Sequence, residues 1–512
     1  MTKMVSIFTA NGYIHAVGQA LQAEYGLSDL VAVQDSSQAA PLASGNSLIV
    51  DSRGILQPID WHNTSPPYLL SSPLPFRKET LLGLIFSQLD NGEKAWFYLE
   101  DQPSLQFDIG IMNRLRHGLQ IRLAEFTEIR DSSGQQPDFE RYRIQHNAAI
   151  MRHYGYLDKE AGFQMVEKYY QQALESAPNA EYRAFTAKHY ATLLLDGGAL
   201  PMAENVLENN IREAISDDAK YGLKAVLSNV WMKQLAVPYD PALLAKLKDT
   251  LWEALQFFEA NGRKAEAALL LMDAAQIANI SQSFAEALGY ITRAIRIFTE
   301  EGLEELAGNA FLGKGTLLYT WAQNGNPQFY KPAIESYQQA LKVFRQDVAP
   351  DVFADIHHNL AVLYSEMPAD NKKRGIWAGV ASASFQEALN FYTKEQYPYE
   401  YGMICNNFGN ALTKFPLAVH SDNYEKSLYY YQEALSVRTP QYPYERAITL
   451  LNFLEASWNV SNHSEAFNRE RYEDMVAKAQ EVKTLEVDAE MLREADNHLE
   501  MLEQLKQVAE KA

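Results

Sequence analysis

The sequence contains few residues in the combinations that catalysis or metal binding requires. Its single cysteine, Cys405, excludes an intramolecular disulfide and a cysteine-rich metal site. His357 and His358 are adjacent, and on a helix their side chains point about 100° apart, so they do not form one metal-binding face. His62 and His117 stand alone, as surface or hydrogen-bonded histidines do. Since no His-Glu-x-x-His motif, nucleophile elbow or carboxylate constellation occurs in the helical part, we predict no enzyme, metal or cofactor there.

One carboxyl group could accept a phosphoryl group. Asp51 ends an apolar run, where receiver domains carry their phosphorylated aspartate, and residues 1–128 resemble such a domain in a degenerate form. Phosphoryl transfer to aspartate needs a divalent cation held by acidic residues after the first strand, but residues 9–12 read Thr-Ala-Asn-Gly. The lysine expected after the fifth strand is also missing, because residues 98–101 read Tyr-Leu-Glu-Asp. The alternative is that Asp51 is a turn residue, with Ser52 and Gly54 completing the turn.

Short apolar runs alternate with helical periodicity around this aspartate. Helices are expected at 13–25 and 80–89 and around 111–119. The alternation predicts a mostly parallel sheet covered on both faces. The predicted strands are 5–9, 30–33, 47–50, 68–71 and 95–99, with a further strand-like run at 121–128.

The bulk composition limits the class of partner. The 512 residues carry 45 basic and 65 acidic side chains, and the net charge of -20 repels phosphate backbones and anionic membranes. Residues 1–23 contain only short apolar runs, and no uncharged apolar stretch of about 18 residues occurs anywhere. With the single cysteine, these features predict a soluble cytoplasmic protein that binds neither nucleic acid nor membranes.

A short motif centred on an alanine recurs along most of the remaining chain. It is clearest at 337–344, Tyr-Gln-Gln-Ala-Leu-Lys-Val-Phe, and its seven alanines are separated by 41, 40, 40, 46, 48 and 46 residues. Such a period is typical of a helical repeat array rather than of one closed globule. The aligned triplets are Tyr170, Ala173 and Leu174; Ile211, Ala214 and Ile215; Leu251, Ala254 and Leu255; Ile291, Ala294 and Ile295; Tyr337, Ala340 and Leu341; Phe385, Ala388 and Leu389; and Tyr431, Ala434 and Leu435.

A second signature alternates with this motif, so the repeating unit is predicted to be a helical hairpin. It reads His-Asn-Leu-Ala-Val-Leu-Tyr at 358–364, with relatives at 146–151, 311–313, 406–411 and 451–454. The paired signatures resemble the tetratricopeptide repeat over about two thirds of the chain, with turns longer than those of the usual repeat of about 34 residues. A small residue of the first helix, here Gly313, Ala361 or Gly409, is expected to face the bulky residue of the second. The resemblance implies a mostly α-helical superhelix of about eight hairpins.

The resemblance also implies a concave groove, lined by the first helix of each hairpin, in which extended peptides or partner helices bind. An asparagine can hydrogen-bond both edges of a peptide backbone, so a series of them could hold a segment without reading its side chains. The alternative is that each asparagine bonds a neighbouring helix internally. No lysine or arginine stands beside them, so capture of a C-terminal carboxylate is not predicted. The residues expected in the groove are Asn147, His358, Asn359, Asn407, Asn410 and Asn452.

The sequence divides into four parts: an α/β domain at 1–128, a polar linker at 129–138, the repeat array at 139–484 and a capping helix at 485–512. The repeated Gln-Tyr-Pro-Tyr-Glu at 396–400 and 441–445 is interpreted as a helix start, with proline in the first turn. The capping helix carries an apolar stripe from Leu492 to Val508, through which a homodimer is the alternative.

These features predict an adaptor or scaffold that binds a protein or peptide in its groove. One alternative is a signalling regulator whose receiver-like domain senses an input, since similar long-period arrays accompany signalling domains in bacterial proteins. Another is an enzyme with an active site of unrecognised type in residues 1–128. Under the adaptor hypothesis, we expect the array to fold without residues 1–130. The partner and the oligomeric state do not follow from the sequence.

Overall fold

The computed structural model describes residues 4–10, 12–35, 46–122, 138–156, 162–236, 238–368, 370–416, 422–461 and 467–510, without the side chains of 371 and 372. The chain forms two compact units, Met1–Asp273 and Ala274–Ala512. The predicted linker at 129–138 lies outside the described residues except for Asp138, where a helix begins. The four-part division therefore stays a prediction.

A four-stranded sheet lies at the start of the first unit. Two of its strand pairs are parallel, because β1 pairs with β2 on one side and β3 on the other. The last strand returns antiparallel to β3 through a tight turn, so the sheet order is β2-β1-β3-β4. The strands are β1 Val5–Thr9, β2 Val31–Asp35, β3 Ser47–Asp51 and β4 Gly54–Leu56.

Four helices accompany the sheet. Helix α2 is buried along nearly its whole length, because apolar side chains occur on every side of it. Its core continues through the sheet and reaches Met151 in the first repeat helix. The helices are α1 Ile14–Leu21, α2 Lys78–Gln88, α3 Gly92–Tyr98 and α4 Pro103–Arg116.

Two predicted strands of this region are wrong. Residues 95–98 belong to helix α3, and Leu99 follows it. The helix begins at Gly92 because the Asn91 side chain caps it by accepting a hydrogen bond from the Lys94 N–H, at 3.1 Å. Residues 68–71 are not part of a strand, because the N–H and C=O of Leu69 bond a side chain instead. The run at 121–128 lies mostly outside the described residues, and the Ile121 N–H donates to Gly155 O at 2.9 Å.

Helices joined by short connections make up the rest of the first unit. Proline in the first turn and aspartate or serine caps set several of their starts. Successive helices pack against each other as hairpins. They are α5 Asp138–His153, α6 Gly162–Ser176, α7 Ala180–Asp196, α8 Leu200–Glu213, α9 Asp217–Gln234 and α10 Pro241–Ala260, followed by α11 Lys264–Ile280, which begins in the first unit and ends in the second.

The second unit continues the same pattern. The Pro-Tyr-Glu interpretation is confirmed, since Pro398 and Pro443 each open a helix. Within each unit the helices form the tetratricopeptide-like repeats that the sequence predicts. The remaining helices are α12 Phe284–Glu300, α13 Glu304–Gln323, α14 Tyr330–Val343, α15 Pro350–Glu366, α16 Asn371–Phe391, α17 Pro398–Lys414, α18 Asn423–Leu435, α19 Pro443–Ser457, α20 Arg469–Val482 and α21 Ala489–Ala509.

Contacts between glycine and tyrosine bring the helices of two hairpins close together. A Cβ atom added at Gly315 would lie 2.9 Å from the Tyr337 ring, and one at Gly409 would lie 2.5 Å from the Tyr431 ring. Only glycine leaves room for these rings. The prediction that Gly313 has this role is wrong, because a Cβ there meets only a side chain of α12, at 3.7 Å.

Six of the seven repeat alanines are fully buried, as the motif predicts. The exception is Ala214, which follows the end of helix α8, while Ile215 is 69% exposed. The helix ends early because Ser216 caps the next one, with its Oγ accepting from the Ala219 N–H at 3.0 Å. The alignment of Ile211, Ala214 and Ile215 with the other copies is therefore wrong.

Among the helices in the described ranges, none combines the length and apolar character needed to span a bilayer.

Candidate functional site

A segment of the first unit runs across its own repeat helices. We call residues 59–70 the strap. Asn147 on α5 holds it by the main chain of Leu69, whose N–H donates to Asn147 Oδ1 at 2.9 Å. In return, Asn147 Nδ2 donates to Leu69 O at 2.7 Å. One buried asparagine amide thus satisfies both polar groups of one residue in an extended stretch of chain.

The residue before this asparagine adds a third main-chain contact. His146 Nε2 lies 2.9 Å from Pro67 O, and because a carbonyl only accepts, the ring donates there. The other ring nitrogen, Nδ1, lies 2.9 Å from Thr186 Oγ1 on α7. Burial lowers the pKa of His146 to about 4, so the ring is neutral near pH 7.

The strap is anchored by Trp61, which is only 2% exposed. Its ring meets Phe185 edge to face, with centroids 5.4 Å apart. The indole Nε1 donates to Glu181 Oε1 at 2.8 Å. On α9, a Cβ added at Gly222 would lie 3.4 Å from the indole, so glycine there lets the ring sit close to the helix.

Buried charges fix the same anchor. Arg263, whose side chain is 4% exposed, donates to Trp61 O at 2.6 Å. The same guanidinium pairs with Asp218 at 2.7 Å and with Glu266 at 2.8 Å. Because both carboxylates neutralise the guanidinium, its burial is tolerated and its position is set.

At the other end of the strap, Tyr68 enters the core of the α/β region. Its hydroxyl donates to Asp108 Oδ1 at 2.7 Å, and Arg143 on α5 donates to Asp108 Oδ2 at 3.1 Å. Burial raises the pKa of Asp108, and the Arg143 charge opposes that shift. The strap therefore joins the sheet region and the first repeat helices within one compact unit.

In the second unit, three of the predicted groove residues, His358 on α15, Asn407 on α17 and Asn452 on α19, form hydrogen bonds between neighbouring first helices, and Asn452 does so with Asn406, which was not predicted. Asn407 Nδ2 donates to His358 Nε2 at 3.0 Å, and burial lowers the pKa of this histidine to about 4. Asn452 Nδ2 donates to Asn406 Oδ1 at 3.1 Å. We call these four side chains the polar ladder; they orient each other across three first helices of successive hairpins.

The other two predicted groove residues differ in what they contact. Asn410 Oδ1 accepts a hydrogen bond from the Tyr431 hydroxyl at 2.8 Å, so one edge of its amide serves helix packing. The equivalent hydroxyl of Tyr337 pairs with Thr316 at 3.0 Å. Asn359 is half-buried, and its amide has no hydrogen-bond partner in the part of the chain that the structure describes.

Neither the strap nor the role of Trp61 was predicted from the sequence. The signal available was Trp61 followed by Pro66 and Pro67 in a region otherwise patterned as strands and helices. Two successive prolines supply carbonyl acceptors but no N–H donors, so this stretch cannot continue a sheet. Its partners lie up to 202 residues away in sequence, beyond the reach of any local pattern.

Asp51 is the last residue of β3, directly before the turn to β4. Its Oδ1 accepts from the Arg53 N–H at 2.8 Å, and its Oδ2 accepts from the Arg53 guanidinium at 2.6 Å. Hydrogen bonding from Arg53 lowers the pKa of Asp51. The carboxylate therefore serves the turn, as the second of the two sequence interpretations has it. Among the described residues, no three His, Cys, Asp or Glu side chains are grouped so that they could hold a metal ion.

One family profile matches part of the chain. The sequence profile of the soluble NSF attachment protein family, SNAP, matches residues 246–406, which is 161 of the 512 residues. Among curated proteins, no sequence matches this chain.

Several solved structures match this chain at low sequence identity. The apo form of RapI is 10% identical, and the match covers 70% of this chain and 96% of RapI with a TM-score of 0.48. A signal-transduction ATPase with a tetratricopeptide repeat sensor from Pyrococcus horikoshii is 14% identical, with 99% and 82% covered and a TM-score of 0.47. Yeast Tom70 is 10% identical, with 84% and 82% covered and a TM-score of 0.36.

Proposed function

We propose that this chain is a protein-interaction scaffold, and that the face of the second unit centred on Asn359 binds an extended polypeptide segment through the segment's main chain. The observation that supports this proposal is the grip of Asn147 on Leu69. There, one asparagine amide replaces the hydrogen bonds that a neighbouring strand would make.

The geometry of this grip favours an extended ligand. The N–H and C=O of one residue point to the same side only when the backbone is close to the β conformation. A helix uses both groups internally and cannot offer them to a side chain. A site built on such an asparagine therefore selects an extended conformation, and leaves side-chain preference to its surroundings.

Asn359 stands in the same local setting as Asn147. Each directly follows a buried histidine, His146 or His358. Burial lowers the pKa of both histidines to about 4. Each lies two residues before an alanine that is fully buried. The difference is the occupant, because the strap covers Asn147, whereas the amide of Asn359 is unpaired within the described residues.

The polar ladder fixes His358, the residue before Asn359, through Asn407, and both His358 and Asn406 of the ladder are buried. Its side chains hold one another, so little rotamer entropy remains to be lost when a ligand binds. The net charge of -20 repels acidic segments, so we expect ligands of neutral or positive charge. This role needs no catalytic residue.

Selection of displayed peptides on the full-length protein tests the proposal. Short random peptides are selected on the immobilised chain, and the enriched sequences are measured by fluorescence polarisation against wild type, Asn359→Ala and Asn390→Ala. Asn390 is an exposed asparagine on α16 and serves as the matched control. We expect Asn359→Ala to weaken binding about tenfold, since two hydrogen bonds of about 0.5–1.5 kcal/mol each are lost, and Asn390→Ala to have no effect. Enriched peptides that bind all three proteins equally would contradict the proposal.

A further inference from the structure

The repeated Gln-Tyr-Pro-Tyr-Glu sequence contains a tyrosine that the start of a helix does not require. The proline and the glutamate of each copy lie in the first turns of α17 and α19, where they favour the helix. The tyrosine between them has no such role. Tyr399 and Tyr444 hold this position in the two copies, and they are 50% and 51% exposed. Both copies therefore present an aromatic ring to solvent at the start of a first helix.

The tyrosine before the proline differs between the two copies. In the first copy it is Tyr397, whose ring packs edge to face against Tyr392, with centroids 5.4 Å apart. In the second copy it is Tyr442, which is 44% exposed and lies 5.8 Å from the ring of Tyr399. We call Tyr399, Tyr442 and Tyr444 the tyrosine surface. Exposed tyrosines are typical of protein interfaces, where one end of the ring is apolar and the other can stay hydrated.

Carboxylates without a cationic partner lie beside this surface. Glu400 directly follows Tyr399, and Asp355 on α15 accepts a hydrogen bond from the Tyr392 hydroxyl at 2.7 Å. Partial desolvation raises the pKa of Asp355, and the charges of Asp351 and Glu400 act in the same direction. Among the described residues, no lysine or arginine forms an ion pair with any of these three carboxylates. The helix starts of α15 and α17 therefore carry uncompensated negative charge.

The cations near the same helix starts are already bonded. Lys394 Nζ lies 3.6 Å from a carboxylate oxygen of Glu433. The guanidinium of Arg438 donates to Glu445 O at 3.1 Å and to Thr449 Oγ1 at 2.6 Å. What remains open to a ligand is a set of aromatic rings next to negative charge. Guanidinium and ammonium groups bind to this combination, since they are attracted both by the face of the ring and by the carboxylates.

We propose that the tyrosine surface binds an arginine-rich segment of another protein, with guanidinium groups lying on the exposed rings and facing Glu400 and Asp351. A guanidinium is planar and weakly hydrated, so it stacks on an aromatic ring more readily than an ammonium does. The net charge of -20 repels a second copy of this chain and repels nucleic acid. Asn359 lies farther along α15, so this surface is separate from the face of the proposed function.

Fluorescence polarisation with a labelled, capped peptide of Arg-Gly-Ser repeats tests this inference on the full-length protein. A Glu-Gly-Ser peptide of equal length is the control ligand, and about 0.15 M salt screens long-range attraction. We expect Tyr399→Ala and Tyr442→Ala each to weaken binding about threefold to fivefold. Tyr399→Phe keeps the ring and should bind like wild type. Tyr429→Ala, at a ring 61% exposed on α18, is the matched control and should have no effect.

A pair of glutamine variants tests the role of charge. Glu400→Gln should weaken binding, whereas Glu305→Gln on the exposed side of α13 makes the same change in net charge and should not. No binding by wild type, equal affinity of Tyr399→Ala and Tyr429→Ala, equal effects of the two glutamine variants, or equal binding of the Glu-Gly-Ser peptide would each overturn the proposal. Asn359→Ala should bind the peptide like wild type. Loss of binding there would place the peptide on the other face, and would also overturn the proposal.

Discussion

Asn147 and Asn359 hold the same position in two repeat helices, each directly after a buried histidine, and they differ in what their amides meet. Asn147 bonds both main-chain groups of Leu69, at 2.9 and 2.7 Å. Asn359 has no partner in the described part of the chain. The first unit therefore contains, as an internal contact, the interaction that we propose for an external ligand in the second.

Replacing Asn147 by alanine should destabilise the first unit. The change leaves the Leu69 N–H without its partner and leaves Leu69 O with the Arg143 guanidinium alone, at 3.4 Å, which costs about 1–3 kcal/mol. Urea denaturation followed by circular dichroism measures this loss. Asn205→Ala on the exposed face of α8 is the control and should change the free energy of unfolding by less than about 0.5 kcal/mol. Equal stability of the two variants would show that the strap is not held by Asn147.

Truncation of Trp61, which anchors the strap, should also destabilise the first unit. Trp61→Ala removes a ring that is 2% exposed and leaves Glu181 without its indole donor, so we expect a loss of about 3–5 kcal/mol. The strap should also become sensitive to proteolysis. Trp252→Ala, at a ring 36% exposed, should have a much smaller effect on both measurements.

By the same reasoning, an array lacking residues 1–130 would uncover His146, Asn147 and Phe185, and would be less stable than the whole chain.

Glycine should be required where tyrosine packs against a helix. Gly315→Ala and Gly409→Ala place a methyl group 2.9 and 2.5 Å from a buried ring, and the overpacking should lower the melting temperature, at a cost of about 1–3 kcal/mol. Gly289→Ala is the matched control, because nothing lies within 4 Å of its added Cβ. That change should raise stability by about 0.5–1 kcal/mol through helix propensity. A stabilising effect at Gly315 or Gly409 would contradict the packing described.

Stability should depend on pH through His146. Burial lowers its folded-state pKa to about 4, below the ordinary unfolded value of about 6.5, so the unfolded state binds the proton first as pH falls. The contribution of this histidine is complete above that unfolded pKa and is lost as pH falls towards 4. Between about pH 7 and about pH 5, wild type should lose about 2 kcal/mol more than His146→Gln. Parallel pH profiles for the two proteins would contradict a neutral, buried imidazole.

The repeat array was predictable because its information is local. Tyr337 and Ala340 lie on one face of a single helix, and the same pattern recurs at Tyr431 in a later helix. A buried stripe with the period of a helix is a direct consequence of packing. Which residues of the two helices of a hairpin face each other was harder to predict from the sequence. Gly313 and Gly315 are equally small, and only the three-dimensional contact with Tyr337 distinguishes them.

The candidate site was predictable in its chemistry but not in its occupant. The capacity of an asparagine to bond both edges of a backbone follows from its amide alone. That Asn147 bonds Leu69 depends on a contact between residues 78 positions apart, made by a segment without periodicity. Likewise, the aromatic run at 95–99 has strand composition, but the cap supplied by Asn91 starts a helix before it.

The most direct test of main-chain recognition at Asn359 changes single atoms of the ligand. Each backbone N–H of a selected peptide is replaced in turn by N-methyl, and affinities are measured for wild type and Asn359→Ala. We expect one position at which methylation weakens binding to wild type about tenfold and leaves binding to Asn359→Ala unchanged, because that N–H donates to the Asn359 amide. Tolerance of methylation at every position, or the same loss in both proteins, would contradict the proposed role of Asn359.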